Sequence, residues 1–260
     1  MRDLALQPAY TEVGGRRLFQ LDVLPSTPPL AWVFHVPPLG EEAVRSRRWL
    51  SAVARRLAEV GLAVRTVDLH GTGDSDGATH VADLATWVSD TETLVARLGA
   101  EQHLPVALWG TRAGALIAGS SSSNHPLLLL APVTDGARYA RQLSRRPIAR
   151  DNPSGAAEAA GTVAPGCKRD PIPALSTSVL ADLANVRSPI EPAETRRSVF
   201  LLDRPSAAPS SAPAGVWYRR IDPPRFWAVE ETPLDPGVLA AVEDAGHALL
   251  ATLADVAHAP

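Results

Sequence analysis

The 260-residue chain has 45% hydrophobic and 20% charged residues and a net charge of −3, which indicates a globular protein with a sizeable core. Arginine supplies all but one of the 25 basic residues, and the exception is Lys168. Because the arginines fall as scattered pairs rather than as one basic patch, the composition argues against nucleic-acid binding.

Targeting and cofactor signals are weak throughout the chain. The N-terminal residues carry no signal-peptide core, and the lone Cys167 has no partner for an internal disulfide, so we expect a cytoplasmic protein. No uninterrupted apolar run reaches the length of a membrane span, so we expect no membrane insertion. The glycine-rich residues 71–77 lack the lysine of a phosphate loop, and the histidines are too dispersed for a metal site. We therefore expect neither cofactor nor metal.

The first half of the chain predicts strands that alternate with helices. Gly14-Gly15 predicts a hairpin between residues 10–13 and 17–24. Apolar residues at helical spacing predict helices over 44–60 and 81–98, which end at Gly61 and Gly99. Buried strands are expected over residues 30–34, 63–68, 106–109 and 127–131. Continuously apolar strands separated by helices indicate a parallel sheet that is covered on both faces.

The second half of the chain departs from this pattern. Residues 135–196 are rich in proline and glycine, which predicts an inserted cap with an irregular middle at 152–169. The core resumes with a strand over 199–203, a linker over 205–213, and strand candidates over 216–221 and 226–229. Asp235 is expected to cap a final helix. We thus predict a core of residues 1–134 and 197–260 and a cap of residues 135–196.

The stretch from Pro105 to Gly119 carries the main functional signal. A short apolar strand runs into Gly110-Thr111-Arg112-Ala113-Gly114, and a small-residue helix is predicted over residues 112–119, which is the layout of a nucleophile elbow. The two glycines allow a tight turn that presents the central side chain at the carboxyl end of the sheet. That central side chain is Arg112. An arginine keeps its proton and has no acceptor atom, so it cannot attack a carbonyl group.

These elements resemble the α/β-hydrolase superfamily. The resemblance rests on the order of elements, on the Asp-x-x-Gly-x-Gly-Asp-Ser sequence of residues 68–75 and on the elbow. More narrowly, the sequences of residues 37–42, 45–48, 109–115 and 131–133 resemble the hydrolase 2 type proteins associated with exosortase systems, over about residues 30–146. The resemblance implies an α/β class protein with the α/β-hydrolase fold, that is, a mostly parallel central sheet flanked by helices, with an inserted cap. The family name implies a hydrolase.

Residues around Arg112 are candidates for substrate binding. An elbow residue lies at a helix N-terminus, where free N–H groups favour an anion, and a guanidinium there binds carboxylate or phosphate through two parallel hydrogen bonds. The other candidates are its neighbour and the loop and helix start at residues 39–45, namely Thr111, Leu39, Gly40, Glu41 and Arg45. In the alternative interpretation, Arg112 pairs with an acid such as Glu41, Glu42 or Asp135 and fills a dead site.

The resemblance also directs attention to residues that would complete a catalytic triad. Asp203 stands at the usual place of the triad acid and Asp135 at an alternative place. His247 follows Asp244-Ala245-Gly246, but the helical register of residues 239–256 runs through it and places it on a helix flank. His35 is the remaining candidate for proton transfer. The residues after His35 include Pro37 and Pro38, which lack the N–H of an oxyanion donor.

Three functions follow from these patterns. The first is a hydrolase-fold protein without a serine nucleophile that binds an anionic or acyl small molecule through Arg112. The second is an ester or thioester hydrolase with a non-standard nucleophile or an activated water. The third is an inactive scaffold for a partner enzyme. The expected partners are the small molecule and either that enzyme or a second copy of the chain.

Overall fold

The computed structural model describes residues 4–78, 81–144, 175–187, 197–203, 216–222, 225–228 and 232–257. Its strands are β1 (Ala5–Val13), β2 (Arg16–Leu24), β3 (Ala31–Val36), β4 (Leu62–Val67), β5 (Val106–Thr111), β6 (Leu127–Leu130), β7 (Val199–Asp203) and β8 (Val216–Arg220). Its helices are α1 (Glu41–Glu59), α2 (Leu84–Gln102), α3 (Gly114–Ser120), α4 (Gly136–Ser144), α5 (Thr177–Ala184) and α6 (Pro236–Ala257).

All eight of these strands form one sheet in the order β1-β2-β4-β3-β5-β6-β7-β8. The β1–β2 hairpin is antiparallel, and β2 also pairs with β4 in antiparallel fashion. The remaining neighbours pair in parallel. The predicted α/β-hydrolase fold, with its mostly parallel sheet, is therefore confirmed. The carboxyl ends of the parallel strands share one edge, which is where such folds place their sites.

Two apolar layers cover the sheet. One layer packs the inward side chains of α2 and α3 against one face, and the other packs α1 and α6 against the opposite face. Strands β3, β5, β6 and β7 are buried along their whole length, as their continuous apolar sequences predict. The elbow thus follows a strand that is buried along its whole length.

Three predicted boundaries are wrong. Helix α2 begins after Asp83, whose side chain accepts a hydrogen bond from the Thr86 N–H, and not at residue 81. It also continues past Gly99 to His103, which ends it in the left-handed conformation at φ 53°. The elbow helix starts at Gly114 and not at Arg112.

A fourth expectation, a strand over residues 226–229, is also corrected. Residues 226–228 form a turn that is closed by a hydrogen bond from the Ala228 N–H to the Arg225 carbonyl oxygen. The aromatic side chains of Phe226 and Trp227 are buried against α1 and α6. The apolar sequence suggested a strand, but these side chains are apolar because the turn packs them into the core.

The region predicted as a cap is described in part. Helices α4 and α5 lie between β6 and β7 in the chain and pack against each other. A Cβ on Gly136 would lie 1.8 Å from the Leu183 carbonyl oxygen, so the two helices approach closely at this glycine. The predicted middle of the cap, residues 152–169, and the linker 205–213 lie outside the described residues. The cap remains a prediction.

Helix α6 is long and apolar. Among the described residues, it is the helix that is long and apolar enough, by length and composition, to cross a membrane, over Pro236–Asp255. Polar residues such as Glu243 and His247 divide its sequence, so it contains no uninterrupted apolar run of that length. Its side chains Val242, Leu249 and Leu253 are buried against α1 and the sheet. This use of its apolar stripe is typical of a core helix.

Candidate functional site at the elbow

The turn between β5 and α3 has the geometry of a nucleophile elbow. Arg112, at its tip, adopts φ 52°, a left-handed conformation that is uncommon for residues other than glycine. A Cβ on Gly110 would lie 2.6 Å from the Ala115 Cα atom, and a Cβ on Gly114 would lie 2.2 Å from the Val36 carbonyl oxygen. Only glycine fits at both positions. The predicted role of the two glycines in a tight turn therefore agrees with this packing.

The guanidinium of Arg112 forms a buried ion pair with Glu42. Its Nε donates to Glu42 Oε2 at 3.2 Å, and its Nη2 donates to Oε1 at 3.4 Å. Its Nη1 donates to the Ala131 carbonyl oxygen at 3.1 Å. The Arg112 side chain is 13% exposed and the Glu42 side chain 1%. The sequence had left Glu41, Glu42 and Asp135 as acids that could pair with Arg112, and the acid is Glu42.

Two aromatic residues complete the surroundings of this pair. The Tyr139 hydroxyl, from α4, donates to Glu42 Oε2 at 3.4 Å. The Trp227 ring lies under the guanidinium, with Arg112 Cζ at 4.2 Å from the ring centroid, a distance typical of a cation–π contact. Trp227 belongs to the segment between β8 and α6, where a hydrolase triad carries its histidine. The structure therefore places an indole ring against the elbow from that segment.

An aromatic stack holds Trp227 in this position. Phe226 packs edge-on against Trp227 at 4.9 Å and stacks on Trp49 of α1 at 5.1 Å between ring centroids. Arg45 donates to the Ala228 carbonyl oxygen and also pairs with Glu41. Both Arg45 and Glu41 were predicted to bind substrate, and in the structure they join α1 to the Trp227 segment.

His35 is held as a neutral ring beneath the elbow. Its Nδ1 and Nε2 lie 3.2 Å from the hydroxyl oxygens of Thr66 and Thr111, and its ring stacks on Trp109 at 3.7 Å. Complete burial lowers the pKa of His35 from 6.5 to about 3, because the charged ring would lose its hydration. A ring with this pKa is a poor proton acceptor at neutral pH. Thr111, another predicted binding residue, is buried with it and orients the ring.

The other triad candidates are dispersed. His247 is exposed on α6, three residues beyond Asp244, and none of the described contacts joins it to Asp203 or Asp135. Asp135 caps α4 by accepting a hydrogen bond from the Arg138 N–H, and this bond lowers the pKa of its carboxyl group. Asp203 is buried at the end of β7, opposite Arg220 of β8. Burial, together with the Asp203 charge, raises the pKa of the nearby Tyr218.

The loop after β3 presents carbonyl oxygens to the elbow. The oxygens of Val36 and Pro37 face Gly114 at close range, and Pro37 and Pro38 have no N–H to donate. Leu39 is buried, and Gly40 precedes α1 at φ 58° without a side-chain cap. These two residues, predicted to bind substrate, set the direction in which α1 carries Glu42 to the elbow.

Comparison with known proteins agrees with this geometry. The family described as serine aminopeptidase, S33, matches residues 28–182, which is more than half of the chain. The chain belongs to this family of α/β-hydrolases. Comparison with curated protein sequences found no match.

Solved structures share the fold of this S33-family chain. Est1E from Butyrivibrio proteoclasticus with bound ferulic acid is 16% identical, with a TM-score of 0.66, over 95% of this chain and 99% of that one. A putative hydrolase from Agrobacterium vitis S4 is 16% identical, with a TM-score of 0.55, over 96% and 100%. An alpha-beta serine hydrolase homologue from Coxiella burnetii is 12% identical, with a TM-score of 0.52, over 95% and 97%.

A cavity also lies away from the elbow of this S33-family chain. It has a volume of about 520 Å³, lies between α2 and α5, and is lined by residues that include Leu84, Val88, Glu92 and Asp182. No elbow residue lines it. Within the described parts of the chain, no group of three or more His, Cys, Asp or Glu residues could hold a metal ion.

Tyr139 and Trp227 were not among the predicted site residues. Trp227 had a usable signal, because it lies in the segment before the last helix. Tyr139 had none, since its contact with Glu42 depends on how α4 folds back over the elbow. The site in the structure is therefore Arg112, Glu42, Tyr139 and Trp227, and we call these four residues the elbow cluster.

Proposed function

We propose that this S33-family protein binds an acyl or anionic small molecule at the elbow and does not hydrolyse it with a serine. The observation that carries the proposal is the position of Arg112. Its guanidinium stands at the tip of the elbow, where hydrolases of this fold place the nucleophile, and it remains 13% exposed. A guanidinium can donate hydrogen bonds to a carbonyl or carboxylate oxygen, and it cannot attack one.

The hydrolase alternative has less support. A triad needs a histidine that can accept a proton beside the nucleophile. His35 is buried with a pKa of about 3, and His247 is exposed on α6. The segment that would supply the histidine supplies Trp227 instead.

One observation favours the scaffold alternative. Glu42 already occupies one edge of the guanidinium, so the elbow cluster can be read as a closed structural plug. The exposed part of Arg112 supports ligand binding over that interpretation. The narrower resemblance to the exosortase-associated hydrolase 2 type belongs to the same proposal, since Arg112 is part of the sequence on which that resemblance rests.

Removing the guanidinium tests the proposal. We expect hexanoate or hexanamide, used as simple acyl probes, to raise the melting temperature of the wild-type protein, and we expect Arg112→Ala to abolish this rise. The physical reason is that binding to the native state stabilises it in proportion to ligand affinity. The measurement is thermal unfolding over a series of probe concentrations.

Arg65→Ala is the matched control. Arg65 is an arginine of similar burial whose Nε and Nη2 bind Asp22 at 2.8 and 2.7 Å, on the far side of β4 from the elbow. This variant should lose stability and keep the probe-induced rise. No rise in the wild-type protein, or an unchanged rise in Arg112→Ala, would leave the plug interpretation standing.

A further inference from the structure

Arg112 has hydrogen-bond donors to spare. A guanidinium carries five N–H groups. Among the described contacts, Glu42 and the Ala131 carbonyl oxygen take three of them, one each on Nε, Nη1 and Nη2. One N–H on Nη1 and one on Nη2 remain without an acceptor among the described contacts. Arg112 therefore keeps donors that an incoming oxygen atom could accept from.

The positive charge of Arg112, in contrast, is already neutralised by a partner. Glu42 is 1% exposed and binds the same guanidinium through both of its oxygens, so the pair is neutral as a unit. The nearby Arg45 is likewise matched by Glu41. A carboxylate that bound the remaining donors would place two negative groups on one positive group in a site largely closed to water. Such an arrangement leaves one buried charge uncompensated, which is costly.

We propose that the elbow selects the uncharged carbonyl group of an ester, thioester or amide over a free carboxylate, and that Glu42 sets this preference. This inference rests on the proposed function, because it concerns the ligand of the same site. A neutral carbonyl oxygen can accept a hydrogen bond from Arg112 and brings no charge. Glu42 thus acts as a specificity-determining residue without contacting the ligand.

Two probes with the same acyl chain test this inference. We expect the wild-type protein to bind hexanamide at least about tenfold more tightly than hexanoate, as measured by calorimetric titration. In Glu42→Gln the guanidinium loses its negative partner, and we expect the preference to reverse in favour of hexanoate. Glu59→Gln removes a charge from the other end of α1, where Glu59 pairs with Arg56, and should keep the wild-type ratio.

The outcomes separate the two proposals. If neither probe binds, the proposed function fails. If hexanoate binds the wild-type protein as tightly as hexanamide or more tightly, the proposed function stands and the preference for uncharged carbonyls is wrong. An unchanged ratio in folded Glu42→Gln would contradict the role of Glu42. Should that variant not fold, the wild-type ratio alone decides the ligand class.

Discussion

Replacing Glu42 by alanine is expected to lower the free energy of unfolding by about 3 kcal/mol. The variant leaves the Arg112 guanidinium without its carboxylate in a position that is only 13% exposed. Removing one partner of a buried ion pair is costly because the other charge stays buried and loses its compensation. The Tyr139 hydroxyl loses an acceptor at the same time.

Urea unfolding at neutral pH measures this effect. Glu59→Ala is the control, because Glu59 is an ion-paired acid on the same helix whose side chain is 34% exposed, and it should cost less than about 1 kcal/mol. Combining Glu42→Leu with Arg112→Met removes both charges and should recover most of the loss. A loss in Glu42→Ala no larger than the loss in Glu59→Ala would contradict the buried pair.

Acidification is expected to destabilise the protein through His35. In the unfolded chain this ring takes up a proton near pH 6.5, whereas in the folded chain burial lowers its pKa to about 3. Between these values the unfolded state binds the extra proton, so stability falls as the pH falls. From pH 7 to pH 5 the loss from His35 amounts to about 2 kcal/mol, and full stability from this group is present above pH 6.5.

A variant that cannot titrate isolates this contribution. In His35→Asn the difference in unfolding free energy between pH 7 and pH 5 should be smaller than in the wild-type protein by about 2 kcal/mol. The variant also loses the stacking on Trp109, so the pH difference is the quantity to compare and not the stability itself. His247→Asn, on the exposed side of α6, should behave as wild type. Equal pH dependence in His35→Asn and the wild type would show that His35 is not buried in its neutral form.

The fold was largely predictable because its elements are marked by local sequence. Buried strands such as Val199–Asp203 are continuous apolar runs, and the hairpin turn is marked by Gly14-Gly15. The errors lie where tertiary contacts override local signals. Gly99 lies inside α2, since the helix continues to a left-handed cap at His103. Phe226 and Trp227 are apolar enough to suggest a strand, but Phe226 packs on Trp49 and Trp227 packs on Phe226 from a turn.

Of the elbow cluster, the sequence alone could position only Arg112. The elbow motif places Arg112 at its tip because Gly110 and Gly114 permit only one kind of turn there. Its contacts come from α1, α4 and the segment after β8, which are distant in sequence. The sequence could offer three acids as partners but could not choose Glu42. That choice depends on the direction in which Gly40 starts α1.

Labelling with a fluorophosphonate probe tests the central claim most directly, because such probes react with an activated serine of a hydrolase triad. The account predicts that the wild-type protein takes up no label, since Arg112 fills the elbow and Trp227 stands beside it. Stoichiometric labelling of one serine in the native protein, lost when that serine is replaced, would contradict the account.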